Sequence, residues 1–108
     1  MNILKTLKLL ELIRKEVDGE MSLQKLQVLL TALTNPTGID QSTLLKRVDQ
    51  SRAAVSKNVA DLSLLTSKKE VGVGLIRSDA DPMNLSTRII TPTAKGIKLA
   101  KEFEKLLS

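Results

Sequence analysis

Residues 41–62, QSTLLKRVDQSRAAVSKNVADL, read as two short helices joined by a tight turn. The first runs from about Gln41 to Val48, the turn covers Asp49, Gln50 and Ser51, and the second starts at Arg52 and runs past Leu62. Leu44, Leu45, Val48, Val55, Val59 and Leu62 fall at helical spacings that pack the two helices against each other. Ser51 is placed to cap the second helix, its hydroxyl accepting a hydrogen bond from a free backbone N–H of the first turn. Asp49 stands at the sharp bend, where a left-handed conformation suits Gly best but Asp tolerates it.

On the second helix, 100° per residue puts Val55, Val59 and Leu62 on one face and Ala53, Ser56, Lys57 and Ala60 on the opposite one. That outer face is small, polar and basic. A helix lying in a DNA major groove needs such a face: small residues permit close approach, and Arg, Lys and Ser reach base edges and phosphates. A plain solvated helix surface would also satisfy this face taken alone. The 22-residue pattern as a whole is more specific, and it resembles the helix-turn-helix of bacterial transcriptional regulators. Ser51, Arg52, Ala53, Ser56 and Lys57 are the candidate DNA contacts on it.

Composition sets the outer limits. A chain of 108 residues makes one domain with a single modest core. Lys and Arg number 17 against 12 Asp and Glu, a net charge of +5. That balance suits a polyanionic partner such as nucleic acid. The absence of cysteine excludes disulfides, thiolate metal sites and thiol redox sensing. The absence of histidine removes the commonest general base and metal ligand. One Phe and no Tyr or Trp argue against a base-stacking surface for RNA or single strands. No apolar run is long enough to span a bilayer and no signal peptide is recognisable, so a cytoplasmic location is expected. No metal and no cofactor are expected.

Outward from the central stretch, residues 3–17, ILKTLKLLELIRKEV, read as an amphipathic helix with Ile3, Leu7, Leu10, Ile13 and Val17 at three- and four-residue steps. Asn2 caps its start, and Asp18-Gly19 stops it with Gly in the carboxyl-terminal cap position. Leu4, Leu9 and Leu12 widen the apolar surface beyond a single core contact, as expected of a helix that also meets a second subunit. Residues 22–33 read as a second helix capped by Ser22, with its main stripe at Leu23, Leu26, Leu30 and Leu33, broadened by Val28 and Leu29. The run Thr34-Asn35-Pro36-Thr37-Gly38 is a turn, and Asp40 caps the first helix of the central motif.

Beyond Leu62, residues 63–73 read as one further turn of helix and then a loop that carries Lys68 and Lys69, candidates for phosphate contacts. Residues 74–77 and 86–91 read as strands around a turn-forming loop, Ser78 to Asn84, and so make a hairpin. Residues 94–107 form a last helix capped by Thr93. Its apolar stripe runs through Ile97, Ala100, Phe103 and Leu107.

The order of helix, helix, helix-turn-helix, hairpin and helix is mostly α with a small β-hairpin (α+β), a winged helix-turn-helix. On these residues the chain resembles the MarR family of bacterial regulators over most of its length. The carrying stretch is SLQKLQVLLTALTNPTGIDQSTLLKRVDQSRAAVSKNVADL. It is followed by Gly74-Leu75-Ile76-Arg77 at the wing opening and by Thr93-Ala94-Lys95-Gly96 at the start of the last helix. The resemblance implies a single DNA-binding domain over 1–108, with helix-turn-helix 41–65, wing 74–91 and dimerisation helices 3–17 and 94–107. The two-fold interface would draw on Ile3, Leu7, Leu10, Ile13, Phe103 and Leu107.

The implied function is a homodimeric regulator, in most such proteins a repressor, bound to a pseudo-palindromic site on double-stranded DNA. A small-molecule effector is left unassigned. The chain departs from the family in being short, in lacking the final carboxyl-terminal helix and in its wing tip. There the family carries an acidic residue followed by two arginines, and this chain has Asn84, Leu85 and Ser86. Arg88 is the basic residue near the tip, placed either to touch DNA or to pair with Asp79 or Asp81 across the hairpin. An enzyme is not expected: the neighbours Ser56 and Lys57 diverge by 100° on a helix, and Asp79 and Asp81 read as turn formers. The alternative readings are a plasmid-partition or architectural DNA-binding dimer, and a winged helix that serves as a protein–protein interaction module.

Overall fold

Side-chain caps start every helix of the computed structural model, which describes residues 2–64 and 71–108. Among these the chain runs α1 (Ile3–Glu16), α2 (Leu23–Leu33), β1 (Ile39–Asp40), α3 (Gln41–Val48), α4 (Arg52–Leu62), β2 (Ile76–Asp81), β3 (Asn84–Pro92) and α5 (Ala94–Leu107). Asn2, Ser22, Asp40, Ser51 and Thr93 each accept from the backbone N–H three residues on. Each such cap contributes on the order of 1 kcal/mol and sets where its helix begins.

The helix-turn-helix closes as its residues require. Asp49 takes the left-handed conformation (φ 51°, ψ 49°) and donates its N–H to the Leu45 carbonyl. Behind the motif lies the core. Val28, Leu29 and Ala32 of α2 meet Leu44 and Val48 of α3 and Val55, Val59 and Leu62 of α4, all buried. Val28 and Leu29, which broaden the expected stripe of α2, are fully buried, Leu26, Leu30 and Leu33 pack half-buried against the same core, and only Leu23 of the stripe is exposed.

α4 ends at Leu62, not beyond it. Ser63 folds its hydroxyl back onto the Val59 carbonyl at 2.7 Å. The returning chain then takes over the free carbonyls, with Leu75 N–H donating to Leu62 O at 2.9 Å and Gly74 N–H to Ser63 O at 3.2 Å. Gly72 makes this return possible, because a Cβ there would stand 2.2 Å from the Ser63 carbonyl oxygen. Lys68 and Lys69 lie outside the described residues.

The hairpin is longer than expected. β2 and β3 pair antiparallel from Ile76↔Pro92 to Ala80↔Arg88, with an irregularity at Ala80/Asp81 before Asp81↔Asn84. Most of the expected loop from Ser78 to Asn84 is therefore strand, and Pro82-Met83 alone makes the connection. The turn formers act at the tip: Asp81 accepts the Met83 N–H at 2.9 Å and Asn84 accepts the Ser86 N–H at 3.2 Å. β1 adds a third strand in the order β1-β3-β2, pairing Ile39 with Ile90. Two residues are too few to show a strand period, so no expectation covered it.

α1 and α5 pack on each other. α5 lies close over the turn before β2, where Gly96 is needed because a Cβ would come within 2.1 Å of the Leu75 carbonyl oxygen. α1 stops at Glu16 with Val17 as its cap. Gly19 is not the cap glycine expected. It lies two residues past Val17, and among the described residues the glycines with positive φ are Gly38 and Gly74.

The interface expectation needs correction on these two helices. Ile13 and Phe103 are only 1% and 5% exposed because they fill the core of this chain. Ile3, Leu7, Leu10 and Leu107 stay exposed, at 83%, 50%, 41% and 47%.

Candidate nucleic-acid interface

The buried side of α4, anchored by Val55, Val59 and Leu62, dictates what its other side can do. Arg52, Ala53, Ser56 and Lys57 are all exposed there, with Ser51 exposed at the cap and Ala60 half-buried. No large apolar side chain interrupts this surface. Ser51 is occupied locally: its hydroxyl accepts the Ala54 N–H at 3.1 Å. Ser56 accepts from the side-chain amide of Gln41, the first residue of α3, at 3.1 Å. That places Gln41 on the same outer surface. Sequence reasoning missed it, since no spacing rule links a helix start to a residue fifteen positions on.

Between α4 and the hairpin runs an open cleft of about 800 Å³. Gln41, Ser56 and Ala60 line it from the helices, and Arg77, Ser78 and Arg88 line it from β2 and β3. Arg88 therefore opens onto the same cleft as the outer face of α4. Its Nε donates to Ser78 Oγ at 3.0 Å, and its guanidinium also donates to the Ser78 carbonyl. Of the two alternatives for Arg88, the pairing with Asp79 or Asp81 is not formed. Asp79 instead sits 3.1 Å from Arg77 Nε, and Asp81 is engaged by the Met83 N–H. Both aspartates are drawn into local contacts. At the tip Met83 is 92% exposed and Leu85 is exposed beside it.

Two carboxylates behind this surface have lowered pKa values. Asp40, the cap of α3, is held below its ordinary 3.8 by the Thr43 backbone N–H and the Thr43 hydroxyl. Asp18 is lowered by the Glu20 backbone N–H and by Lys25, against the opposing effect of burial. Both act as structural anions. Among the described residues no group of three His, Cys, Asp or Glu is placed to hold a metal ion, and no helix is long and apolar enough to cross a membrane.

No protein-family model matches the chain, and no curated protein is significantly similar to it. Solved structures are. The PcaV transcriptional regulator from Streptomyces coelicolor is 20% identical and superposes with a TM-score of 0.63 over 95% of this chain and 69% of its own. MarR is 20% identical with a TM-score of 0.59 over 99% of this chain and 81% of its own. Bordetella bronchiseptica BpsR, described for the regulation of its DNA binding by 6-hydroxynicotinic acid, is 17% identical. It covers 95% of this chain and 68% of its own with a TM-score of 0.58. At these identities it is the arrangement of elements that is shared, and the chain has the winged helix-turn-helix fold of the MarR-like transcriptional regulators.

Proposed function

We propose that this protein binds double-stranded DNA as a homodimeric transcriptional regulator, a repressor that occupies a pseudo-palindromic promoter site. The observation that carries the reading is the exposed face of α4. Arg52, Ala53, Ser56 and Lys57 project from a helix whose opposite side is fixed in the core, and Gln41 and Arg88 flank it across one cleft. A major groove about 12 Å wide admits such a helix, and Arg or Lys can then reach guanine edges or phosphates. The two-fold arrangement is supported by Ile3, Leu7, Leu10 and Leu107, apolar side chains left in water along α1 and the end of α5. A dimer built there would present two α4 helices to successive major grooves, about 34 Å apart. The reading has no catalytic component and is supported by neighbours that are described as transcriptional regulators.

The test is enrichment of bound duplexes from a random pool, followed by titration of the enriched duplex and a random one. Arg52→Ala and Lys57→Ala are each expected to cost about 1–3 kcal/mol on the enriched duplex where the side chain reads a base. A phosphate contact would weaken both duplexes and lower the salt slope by about one. A protein that binds no duplex, or two substitutions without effect on any duplex, would refute the reading.

A further inference from the structure

Asn58 is the buried polar residue among the described residues, 7% exposed and on the flank of α4 that turns toward α2. Its amide donates to Gln50 Oε1 at 3.2 Å, and the Gln50 amide donates in turn to the Gln24 carbonyl at 3.0 Å. The next residue of α2, Lys25, places its ammonium 3.1 Å from Asp18 and 3.7 Å from Asp61. Two adjacent residues in the first turn of α2 thus tie to α4 at two points, Gln24 to Asn58 through Gln50 and Lys25 directly to Asp61.

A leucine at position 58 would need no partner, whereas a buried amide costs free energy unless it is bonded. What the amide adds is direction. Val55, Val59 and Leu62 hold α4 by apolar burial, which is non-directional and lets a helix roll about its axis. Hydrogen bonds weaken steeply with angle and oppose the roll. With an outer radius of about 5–6 Å, a roll of about 20° shifts a group on the exposed face by about 2 Å. A reading constellation tolerates only about 0.5 Å.

We propose that the Gln24–Gln50–Asn58 chain and the Lys25–Asp61 pair set the roll of α4, which makes Asn58, Gln50 and Lys25 positioning residues for sequence discrimination. The proposal rests on the DNA-binding reading. It adds that specificity, as distinct from affinity for any duplex, depends on side chains that face away from the DNA. Lys25 also bonds Asp18 in the turn after α1, so the clamp joins α4 to the helix that carries the exposed leucines.

The experiment measures three variants, Asn58→Leu, Lys25→Met and Lys25→Arg, by thermal melting and by affinity for two duplexes. One is the duplex that the wild type enriches from a random pool, and the other is a random duplex of equal length. Asn58→Leu should melt cooperatively at or above the wild-type temperature. Its affinity for the enriched duplex should fall roughly tenfold with the random-duplex affinity nearly unchanged, within the range by which residues outside a site modulate it. Lys25→Met should lower the same ratio by a smaller factor, and Lys25→Arg should restore it.

An unchanged ratio in folded Asn58→Leu and Lys25→Met would overturn the proposal, as would equal losses on both duplexes. Should Asn58→Leu fail to fold, Lys25→Met against Lys25→Arg decides alone. A wild type that enriches no sequence would refute the DNA-binding reading itself, an outcome distinct from these, and this inference would fall with it.

Discussion

Gln41 and Ser56 meet across the helix-turn-helix, the amide of one donating to the hydroxyl of the other at 3.1 Å on the solvent side of α3 and α4. The bond uses one lone pair of Ser56 and leaves its O–H free to donate. It also holds a glutamine at the mouth of the cleft, where an amide can pair with adenine. Gln41→Ala removes an exposed contact, so stability should change by no more than about 0.5 kcal/mol. Affinity for an enriched duplex should fall by about 1 kcal/mol or more. Titration of the variant beside Ser56→Ala checks this, and two silent substitutions would remove the pair from the interface.

Assembly separates two classes of residue that look alike in sequence. Leu7 and Leu10 lie on the exposed side of α1, whereas Phe103 fills the core. Leu7→Asp and Leu10→Asp should leave a folded subunit and abolish the dimer, because a charge in an apolar interface costs several kcal/mol. Phe103→Asp should instead unfold the subunit, by the same cost applied inside it. Sedimentation at micromolar concentration, with melting curves of each variant, makes the distinction. A native protein that sediments as a monomer and binds a half-site tightly would refute the dimer.

These cases show where the sequence was legible. The caps at Ser22, Asp40, Ser51 and Thr93 and the bend at Asp49 were readable because each depends on a few neighbouring residues. The assignment of apolar side chains to core or surface was not. Ile13 and Leu10 occupy one stripe of α1, and only the crossing with the rest of the fold buries the first and leaves the second exposed. The hairpin is longer than its local sequence suggests because Ser, Asp and Asn prefer turns locally, while the ladder from Ile76 to Ala80 recruits them into strand. Pairs such as Gln41–Ser56 and Gln50–Asn58 arise from packing and carry no periodic signal.

Asp40 makes the start of α3 sensitive to acid. Its carboxylate accepts the Thr43 N–H at 2.8 Å and the Thr43 hydroxyl at 2.9 Å, and its pKa lies below the ordinary 3.8. A lowered folded pKa contributes stability that is complete above the unfolded pKa and is lost as pH falls through the folded value. The loss therefore belongs below about pH 4, with Asp18 adding to it in the same direction. Asp40→Asn keeps a capping acceptor and removes the titration. Its stability at neutral pH should stay within about 1 kcal/mol of the wild type, with a shallower fall below about pH 4. Urea midpoints measured across pH check this. Identical acid limbs in the two proteins would show that Asp40 does not carry the loss.

Arg88 decides whether the wing takes part in binding. Its contacts with Ser78 tie β3 to β2, which is a structural role on an exposed hairpin. A guanidinium carries five N–H donors, however, and two bonds to Ser78 leave others directed at the cleft. Among the described residues Arg77 is compensated by Asp79, while no carboxylate is paired with Arg88. An unpaired cation beside the outer face of α4 is suited to the negative potential of a DNA groove or backbone. Arg88→Ala should lower stability by no more than about 0.5 kcal/mol, since the lost bonds are exposed. Duplex affinity should fall by about 1 kcal/mol or more, as for a charge-assisted contact. A phosphate contact would also reduce the salt slope by about one. Arg88→Lys retains the charge without the planar fork, so it should recover the salt slope ahead of the affinity. Lower melting with unchanged affinity in Arg88→Ala would confine the residue to holding the hairpin together and leave DNA binding to α4 and its flank.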